Sequence, residues 1–224
     1  MDTALWEGRY LDAYDRILEH SSIYSQVKGF HVKAMSGLGT VLDSGCGTGN
    51  VTLELLKRDQ KVYALDTSRK AMEMLKKKCS QYKKNLFIRN ASMEILPFGD
   101  GIFDGVTSMF AMHFVVRFEG ALREHFRVMR PGGTFAITGR ITPGNSNLVL
   151  NSYYEDIRKK GLLPEHRKDI EIFGEGIMKG VSGSILHPHT FKEMKEILER
   201  IGFRFVREHP NPYFGLCYSI TARK

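Results

Sequence analysis

The sequence predicts an α/β fold in which a doubly wound, mostly parallel sheet is covered by helices on both faces. Short apolar or β-branched runs alternate with helical patterns through the middle of the chain, and such alternation specifies parallel strands joined by right-handed crossovers. The first of these runs leads directly into three alternating glycines, Gly45, Gly47 and Gly49, and then into a helical pattern. Sheets of this kind bind ligands beyond the carboxyl ends of their strands, so we expect the functional site there.

The order of elements follows from the spacing of apolar residues. Apolar positions recur at helical spacing through the first forty residues, which predicts an N-terminal helical cap over residues 1–38. Ser68 is a plausible N-cap for the helix that follows the second strand. The predicted strands are 40–43, 61–65, 86–90, 105–108, 134–138, 203–207 and 218–222.

The carboxyl-terminal part contains a long connection and a final helix. Residues 190–193 form a capping box, and the helix that they begin is stopped by Gly202. Residues 140–189 exceed what a connection between a strand and the next helix needs. Within them, 148–160 has a helical pattern, whereas 173–186 carries four glycines and predicts a mobile loop.

Composition predicts one globular domain spanning residues 1–224. The chain is 42% hydrophobic and 11% aromatic, which is ordinary for a globular core. No apolar run approaches the ~20 residues that cross a bilayer, and the first ten residues lack the pattern of a signal peptide, so we expect a cytoplasmic protein. Three cysteines without paired spacing argue against a disulfide framework and a zinc site, and we expect no metal.

The glycine segment has the properties of a ligand-binding turn. Gly45, Gly47 and Gly49 can adopt positive φ, so the turn can be tight and its backbone can approach a ligand closely. The helix predicted at 50–57 would direct free N–H groups at a carboxylate or phosphate. Asp43 adds a fixed negative charge, which suits a ligand with an ammonium group and would oppose a pyrophosphate. Because NAD carries a pyrophosphate, an NAD-linked dehydrogenase is the least favoured function for this site.

Further motifs follow in order. Asp66 lies 21 positions beyond Gly45 at the end of the second strand, the spacing at which an acid reaches a ribose diol. The segment 92–104 (SMEILPFGDGIFD) precedes the fourth strand, and the turn 130–133 (RPGG) precedes the fifth. With the D-x-G-x-G-x-G spelling of 43–49, these motifs make the sequence similar to class I S-adenosylmethionine (SAM) methyltransferases of the small-molecule branch, including those of quinone biosynthesis.

This resemblance implies a Rossmann-like, doubly wound, seven-stranded sheet that is mostly parallel and has an antiparallel last strand. It also implies that residues 140–189 form an inserted lid between strands five and six. Together with the N-terminal helices, the lid would cover the donor and form the substrate pocket. Closure over the site would exclude water from the reacting sulfonium.

The resemblance further implies a set of cofactor contacts, with SAM as donor and S-adenosylhomocysteine (SAH) as product. Asp43 and the loop backbone would hold the methionine moiety, Asp66 the ribose hydroxyls, and Ser92 with Met93 the adenine. Ser92 departs from the family, because many relatives have an aspartate there, which is a stronger acceptor. Met109 to Ala111 would border the methyl group. The expected cofactor-binding residues are Asp43, Gly45, Cys46, Gly47, Gly49, Asp66, Thr67, Ser92, Met93 and Met109.

A general base is needed only if the acceptor must lose a proton. His113 follows strand four, and Tyr14 lies in the N-terminal helices in a Tyr-Asp pair found in small-molecule relatives. His189 precedes the capping box near the expected mouth of the site. Each candidate has a structural alternative, which is core packing for Tyr14 and His113 and a solvated loop position for His189.

The leading functional hypothesis is a SAM-dependent methyltransferase that acts on a small molecule as a monomer or homodimer. The net charge of +8 keeps an RNA or protein acceptor open as an alternative. The basic residues concentrated within 69–89 are better explained by a solvated helix face. Residues 109–112 lack the Asn-Pro-Pro-Tyr of many amino-group methylases, which counts against nucleobase acceptors. A non-catalytic module that binds SAM or SAH is a further alternative, supported only by Ser92.

Overall fold

The computed structural model describes residues 8–141, 146–177 and 186–224. Its strands are β1 Thr40–Ser44, β2 Lys61–Asp66, β3 Leu86–Asn90, β4 Phe103–Met109, β5 Met129–Arg140, β6 Arg204–His209 and β7 Cys217–Arg223. They form one seven-stranded sheet in the order β3-β2-β1-β4-β5-β7-β6. The first five strands are mutually parallel, whereas β7 runs antiparallel to both of its neighbours. The predicted Rossmann-like sheet with an antiparallel last strand is confirmed.

The described ranges contain eight α-helices. They are α1 Arg9–His20, α2 Ser22–Ala34, α3 Asn50–Leu56, α4 Arg69–Lys78, α5 Phe118–Val128, α6 Ser146–Lys159, α7 Leu163–Gly176 and α8 Phe191–Ile201. The predicted caps are present, since the Ser68 side chain accepts from Ala71 N and Thr190 forms a capping box with Glu193. Among these helices, none is long and apolar enough to cross a membrane.

Two local predictions differ from the structure. Strand five is longer than 134–138, because Met129 already pairs with Phe103 before the register shifts to Gly105 and Thr134; the turn 130–133 therefore lies within β5. The predicted loop at 173–186 begins too early, because residues 173–176 belong to helix α7. A Cβ at Gly176 would lie 2.0 Å from the Tyr10 ring, so this glycine permits close helix packing. Residues 178–185 lie outside the described ranges.

Three apolar clusters form the core of the described ranges, and the third lies next to the site. One cluster lies between the sheet and helices α5 and α8, and another packs α3 and α4 against β1 and β2. The third is built by α1, α2, α6, α7 and the start of β7, and four of its fourteen buried residues are tyrosines. Helix α7 packs mainly on α1. The helices that precede β1 and the helices between β5 and β6 are thereby packed together.

Candidate active site

A cavity of about 270 Å³ opens at the carboxyl ends of β1, β2 and β4. This is where strand order reverses between β1 and β4, the usual ligand position in doubly wound sheets. Its lining residues are Tyr14, Tyr24, Asp43, Gly45, Cys46, Gly47, Thr48, Val51, Asp66, Thr67, Ser68, Arg69, Ala71, Met109, Phe110, Ala111 and Phe114. We call it the donor cavity.

The glycine loop forms the floor of the donor cavity. The backbone N–H groups of Gly45 and Cys46 both donate to Leu65 O, at 2.7 and 3.0 Å, which binds the loop to the end of β2. Gly45 has φ +74, and a Cβ there would lie 2.3 Å from the Cβ of Ala111 and 2.8 Å from Met93 Cε. No side chain fits at this position, so the loop requires glycine both for its conformation and for the approach of the β4 end.

Asp43 supplies a buried carboxyl group at the end of β1. Its side chain accepts a hydrogen bond of 2.6 Å from the Thr52 hydroxyl, and the residue is only 2% exposed. Burial raises the pKa of Asp43 to about 7, and the hydrogen bond from Thr52 opposes this shift. Because a cation would stabilise the ionised form, Asp43 is suited to an ammonium-bearing ligand.

Asp66 is held rigidly on the neighbouring strand. One carboxylate oxygen accepts from Gly47 N and the other from Ser68 N, each at 2.9 Å. The Gly47 contact attaches β2 to the glycine loop, so Asp66 has one defined orientation. The two acidic side chains therefore stand on adjacent strands facing the same cavity.

Asp15 anchors helix α1 beside the donor cavity. Its carboxylate accepts hydrogen bonds from the hydroxyl of Thr48, from Asn50 at 3.3 Å and from the Lys78 ammonium group at 2.6 Å. Lys78 also donates to the Asn50 side-chain oxygen at 2.7 Å. This polar cluster connects α1 to the glycine loop, the start of α3 and the end of α4. Sequence reasoning noted Asp15 only as the partner in a Tyr-Asp pair.

A second, more apolar cavity of about 90 Å³ adjoins the first. Eight of its lining residues are tyrosine or phenylalanine, and Tyr14, Tyr24, Phe110 and Phe114 line both cavities. The full lining is Tyr10, Tyr14, Leu18, Tyr24, Phe110, His113, Phe114, Arg140, Ser146, Val149, Tyr153, Phe173, Ile177 and Tyr213. We call it the aromatic cavity.

Phe110 is the strained residue of the shared wall. It follows β4 with φ 54, a left-handed conformation that costs a residue with a Cβ ~1 kcal/mol or more. Its ring contacts that of Tyr213 edge-on, with centroids 4.9 Å apart. The Tyr213 hydroxyl is in turn hydrogen-bonded to that of Tyr153 at 2.7 Å. The strained backbone thus directs an aromatic ring between the two cavities.

The aromatic cavity contains one charged side chain, Arg140, among its described lining residues. Arg140 ends β5, where it lies opposite Cys217 on β7, and its charge opposes the rise in the pKa of the Cys217 thiol that burial causes. His113 lies in the same wall, and its buried Nδ1 has no hydrogen-bond partner in the described part of the chain. Burial and, secondarily, the Arg140 charge lower the pKa of His113 to about 3. His113 is therefore neutral at physiological pH and a weak base.

Seven of the ten residues expected at the cofactor line the donor cavity: Asp43, Gly45, Cys46, Gly47, Asp66, Thr67 and Met109. Gly49 is instead the N-cap of α3, and a Cβ there would lie 2.7 Å from Leu75. Met93 is buried behind Gly45. Ser92 is exposed, and its hydroxyl accepts from Glu94 N. The structure does not bring these three residues to the cavity wall.

The three expected catalytic residues occupy different places. Tyr14 lines both cavities, and burial, followed by the Asp15 charge, raises its pKa. His113 lines only the aromatic cavity. His189 lines neither cavity, because its ring stacks on Phe118 at 4.7 Å and its Nδ1 bonds His187 O. Its pKa is lowered, mainly by burial.

Sequence reasoning missed Arg140, Tyr153, Phe173 and Tyr213 as site residues. The tyrosines and Phe173 come from segments with no motif, and only the fold brings them together. Arg140 carried a usable signal, because it is a polar residue at the carboxyl end of a predicted parallel strand. The same rule had singled out Asp43 and Asp66.

Comparison with known proteins gives consistent matches. A family model described as a methyltransferase domain matches residues 42–137. The ubiquinone/menaquinone biosynthesis C-methyltransferase UbiE of Geobacter sulfurreducens is 30% identical over 191 residues, which cover 83% of this chain and 72% of that protein. UbiE of Geotalea daltonii is 34% identical over 110 residues, and this match spans only 47% of each protein.

A solved structure shows the same fold across nearly the whole chain. It is a SAM-dependent methyltransferase from Thermotoga maritima, described as a possible histamine N-methyltransferase, with a TM-score of 0.64 and 19% identity over 96% of both chains. The fold, the ordered motifs and the extended match to the Geobacter protein agree with one another. The chain therefore belongs to the class I SAM-dependent methyltransferases.

Proposed function

We propose that this protein transfers the methyl group of SAM to a small, ring-shaped acceptor held in the aromatic cavity. The observation that carries the proposal is the shared wall: Tyr14, Tyr24, Phe110 and Phe114 line both cavities. Ligands in the two cavities would therefore lie next to each other at this wall. Methyl transfer is an in-line displacement, and it requires this kind of end-to-end placement.

The donor cavity fits SAM by its chemistry. Burial disfavours ionisation of the Asp43 carboxyl group. An ammonium group beside it would offset the free-energy cost of that ionisation. Asp66 is fixed by two backbone amides and offers acceptor capacity to a ribose diol. The absence of any side chain on Gly45 leaves its backbone accessible. SAM, when bound, supplies a methyl group on a cationic sulfur.

The role that we assign to the protein is mainly positional. Asp43, Asp66 and the glycine loop would orient the donor, while α1, held by Asp15, would exclude water from it. The rings of the shared wall would surround the reacting centre. Tyr14 and His113 remain the candidate bases, but Tyr14 has a raised pKa and His113 a lowered one. Neither shift favours proton abstraction at neutral pH.

The size of the aromatic cavity supports a small acceptor over RNA or a protein. Helices α1, α6 and α7 contribute to its lining, and its volume is about 90 Å³. The relatives named UbiE are quinone-biosynthesis enzymes, which supports a ring compound as the acceptor. Part of the basic character is also accounted for, because Lys70 and Lys78 form ion pairs with Asp12 and Asp15.

The test uses SAM labelled in its methyl group with a panel of single-ring hydroxyaryl, aminoaryl and heteroaryl compounds. Label is expected to enter at least one ring compound and not total RNA or a protein mixture. The matched control is Gly45→Ala. It should lose methyl transfer, because its added Cβ would overlap the Cβ of Ala111 and displace the glycine loop. Transfer to RNA alone would support the competing acceptor class. No SAM binding at millimolar ligand would contradict the proposal altogether.

A further inference from the structure

The two cavities differ in electrostatic character. The donor cavity is lined by two carboxyl groups, Asp43 and Asp66, together with Arg69. The described lining of the aromatic cavity includes Arg140 and no aspartate or glutamate. A cationic acceptor would be repelled by this guanidinium in a poorly solvated space, whereas an anionic acceptor would be attracted. The acceptor side therefore has the opposite preference from the donor side.

The charge of Arg140 acts on several groups around the aromatic cavity. It adds to burial in lowering the pKa of His113. Burial raises the pKa of the Tyr153 hydroxyl and of the Cys217 thiol, and Arg140 opposes both shifts. These groups lie on different elements, α6, β7 and the turn after β4. An acidic hydroxyl placed among them would be subject to the same field.

We propose that Arg140 selects acceptors with an ionisable hydroxyl on a single aromatic ring and holds them as phenolates. This inference rests on the proposed function, since it takes the aromatic cavity as the acceptor site. Binding of the acceptor as a phenolate also explains how methyl transfer proceeds beside the weakly basic His113, because a phenolate needs no general base in the transfer step. An electron pair of the phenolate oxygen forms the O–CH3 bond while the S–CH3 bond breaks, leaving its pair on sulfur. The anion and the sulfonium thereby become a neutral ether and a neutral thioether.

The alternative is that Arg140 has only a structural role at the end of β5, where it lies opposite Cys217. A structural role would affect stability and would not distinguish charged from neutral ligands. The test therefore uses two probes of similar shape: 4-nitrophenol, whose anion absorbs visible light, and its neutral methyl ether, 4-nitroanisole. Both are titrated into the wild-type chain and into Arg140→Gln and Arg140→Lys, with saturating SAH present.

We expect the wild-type chain to bind the nitrophenolate at least about tenfold more tightly than nitroanisole, and to lower the pKa of bound nitrophenol by about 1 unit. Arg140→Gln should lose both effects while its affinity for nitroanisole stays unchanged. Arg140→Lys should retain most of the preference, because it keeps the charge. Equal binding of both probes by the wild-type chain would overturn the proposal, as would an equal loss of both probes in Arg140→Gln.

Calorimetry with SAH alone tests the donor cavity separately from the role of Arg140. Normal SAH affinity in Arg140→Gln shows that the variant is folded and that its donor cavity is intact. If the wild-type chain binds SAH but shows no phenolate preference, the role of Arg140 is wrong and the proposed function stands. If it binds no SAH, the proposed function fails. The probes are then titrated without SAH, and a lost preference in Arg140→Gln would still support an anion-selective cavity.

Discussion

The ammonium group of Lys78 lies 2.6 Å from the carboxylate of Asp15, and this ion pair joins the end of α4 to α1 beside the glycine loop. The two side chains are only 22% and 19% exposed, so solvent screens the pair less than it does a surface ion pair. Asp15 also accepts from Thr48 and Asn50. The position of the N-terminal helix is therefore coupled to the loop that forms the floor of the donor cavity.

Removing Lys78 should loosen α1 and weaken donor binding. For Lys78→Met we expect a loss of ~1–2 kcal/mol in the free energy of unfolding, because Asp15 keeps its partial burial but loses its cation. The affinity for SAH should fall about tenfold, since part of the binding energy must then order α1. Urea denaturation and calorimetry measure the two quantities.

Lys77→Met is the matched control for this prediction, because Lys77 is exposed on the same helix. It removes the same charge and should leave SAH affinity within about twofold, as expected for a surface substitution. Equal losses in both variants would show that net charge, and not the contact between Lys78 and Asp15, governs donor binding.

Donor binding should depend on pH through Asp43. Its pKa is raised to about 7 by burial, so below pH 7 the free protein carries a proton that must leave before the carboxylate can pair with an ammonium group. The dissociation constant of SAH should rise about tenfold per pH unit as the pH falls below 7 and level off above it. Calorimetry in buffers of different ionisation enthalpy should show proton release at pH 6.5.

Asp43→Asn provides the comparison for this pH effect. The variant should bind SAH more weakly at pH 8 and with little pH dependence, because it has no titratable group at this position. A wild-type affinity that is constant from pH 6 to 8 would exclude Asp43 as the ammonium partner.

Gly45→Ala should abolish donor binding and destabilise the fold. The new Cβ would lie 2.3 Å from the Cβ of Ala111, and relief of this overlap requires movement of the backbone after β4. We expect a destabilisation of ~2–4 kcal/mol, combining the strain of positive φ with overpacking. Gly37→Ala isolates the first contribution, because Gly37 has φ +76 and a Cβ there would meet no described atom within 4 Å. Equal destabilisation of the two variants would contradict the close approach at Gly45.

The fold should lose stability in acid through its buried histidines, of which His31 is the clearest. Its ring bonds the hydroxyls of Thr107 and Thr138 at 2.6 and 2.7 Å, and burial lowers its pKa from 6.5 to about 3. Below pH 6.5 the unfolded chain binds a proton that the native ring does not. His31 should therefore reduce the free energy of unfolding by ~1.4 kcal/mol per pH unit as the pH falls from 6.5 towards 3.

His31→Gln tests this origin of the acid sensitivity. The other buried histidines titrate in both proteins, so they cancel in the comparison. The variant should show a shallower decline of stability between pH 6 and 4.5 in urea denaturation. Parallel declines would mean that His31 makes no contribution.

The sheet and the donor cavity could be predicted because their determinants are local in sequence. The run from Asp43 to Gly49 encodes a strand end, a turn and a helix start within a few residues. Asp66 follows from the same pattern on the next strand. The glycines of 173–186 were misleading, since Gly176 serves helix packing against Tyr10. Composition alone does not separate that role from loop formation.

The aromatic cavity could not be predicted in this way. Tyr10, Phe110, Tyr153 and Tyr213 come from four separate segments, and no local pattern relates them. Their meeting depends on how α6 and α7 pack on α1, which is a property of the whole fold. Ser92 shows the opposite limit. The segment that contains it resembles the family's motif, yet the Ser92 side chain is exposed and accepts from Glu94 N.

The central claim is that SAM occupies the donor cavity with its reactive end facing the aromatic cavity. A crystal structure of the protein with SAH tests it most directly. We predict the SAH ammonium group within about 3 Å of the Asp43 carboxylate, the ribose hydroxyls at Asp66, and the sulfur beside the wall formed by Tyr14 and Phe110. SAH bound elsewhere, or bound in the donor cavity with its sulfur directed away from that wall, would contradict the account.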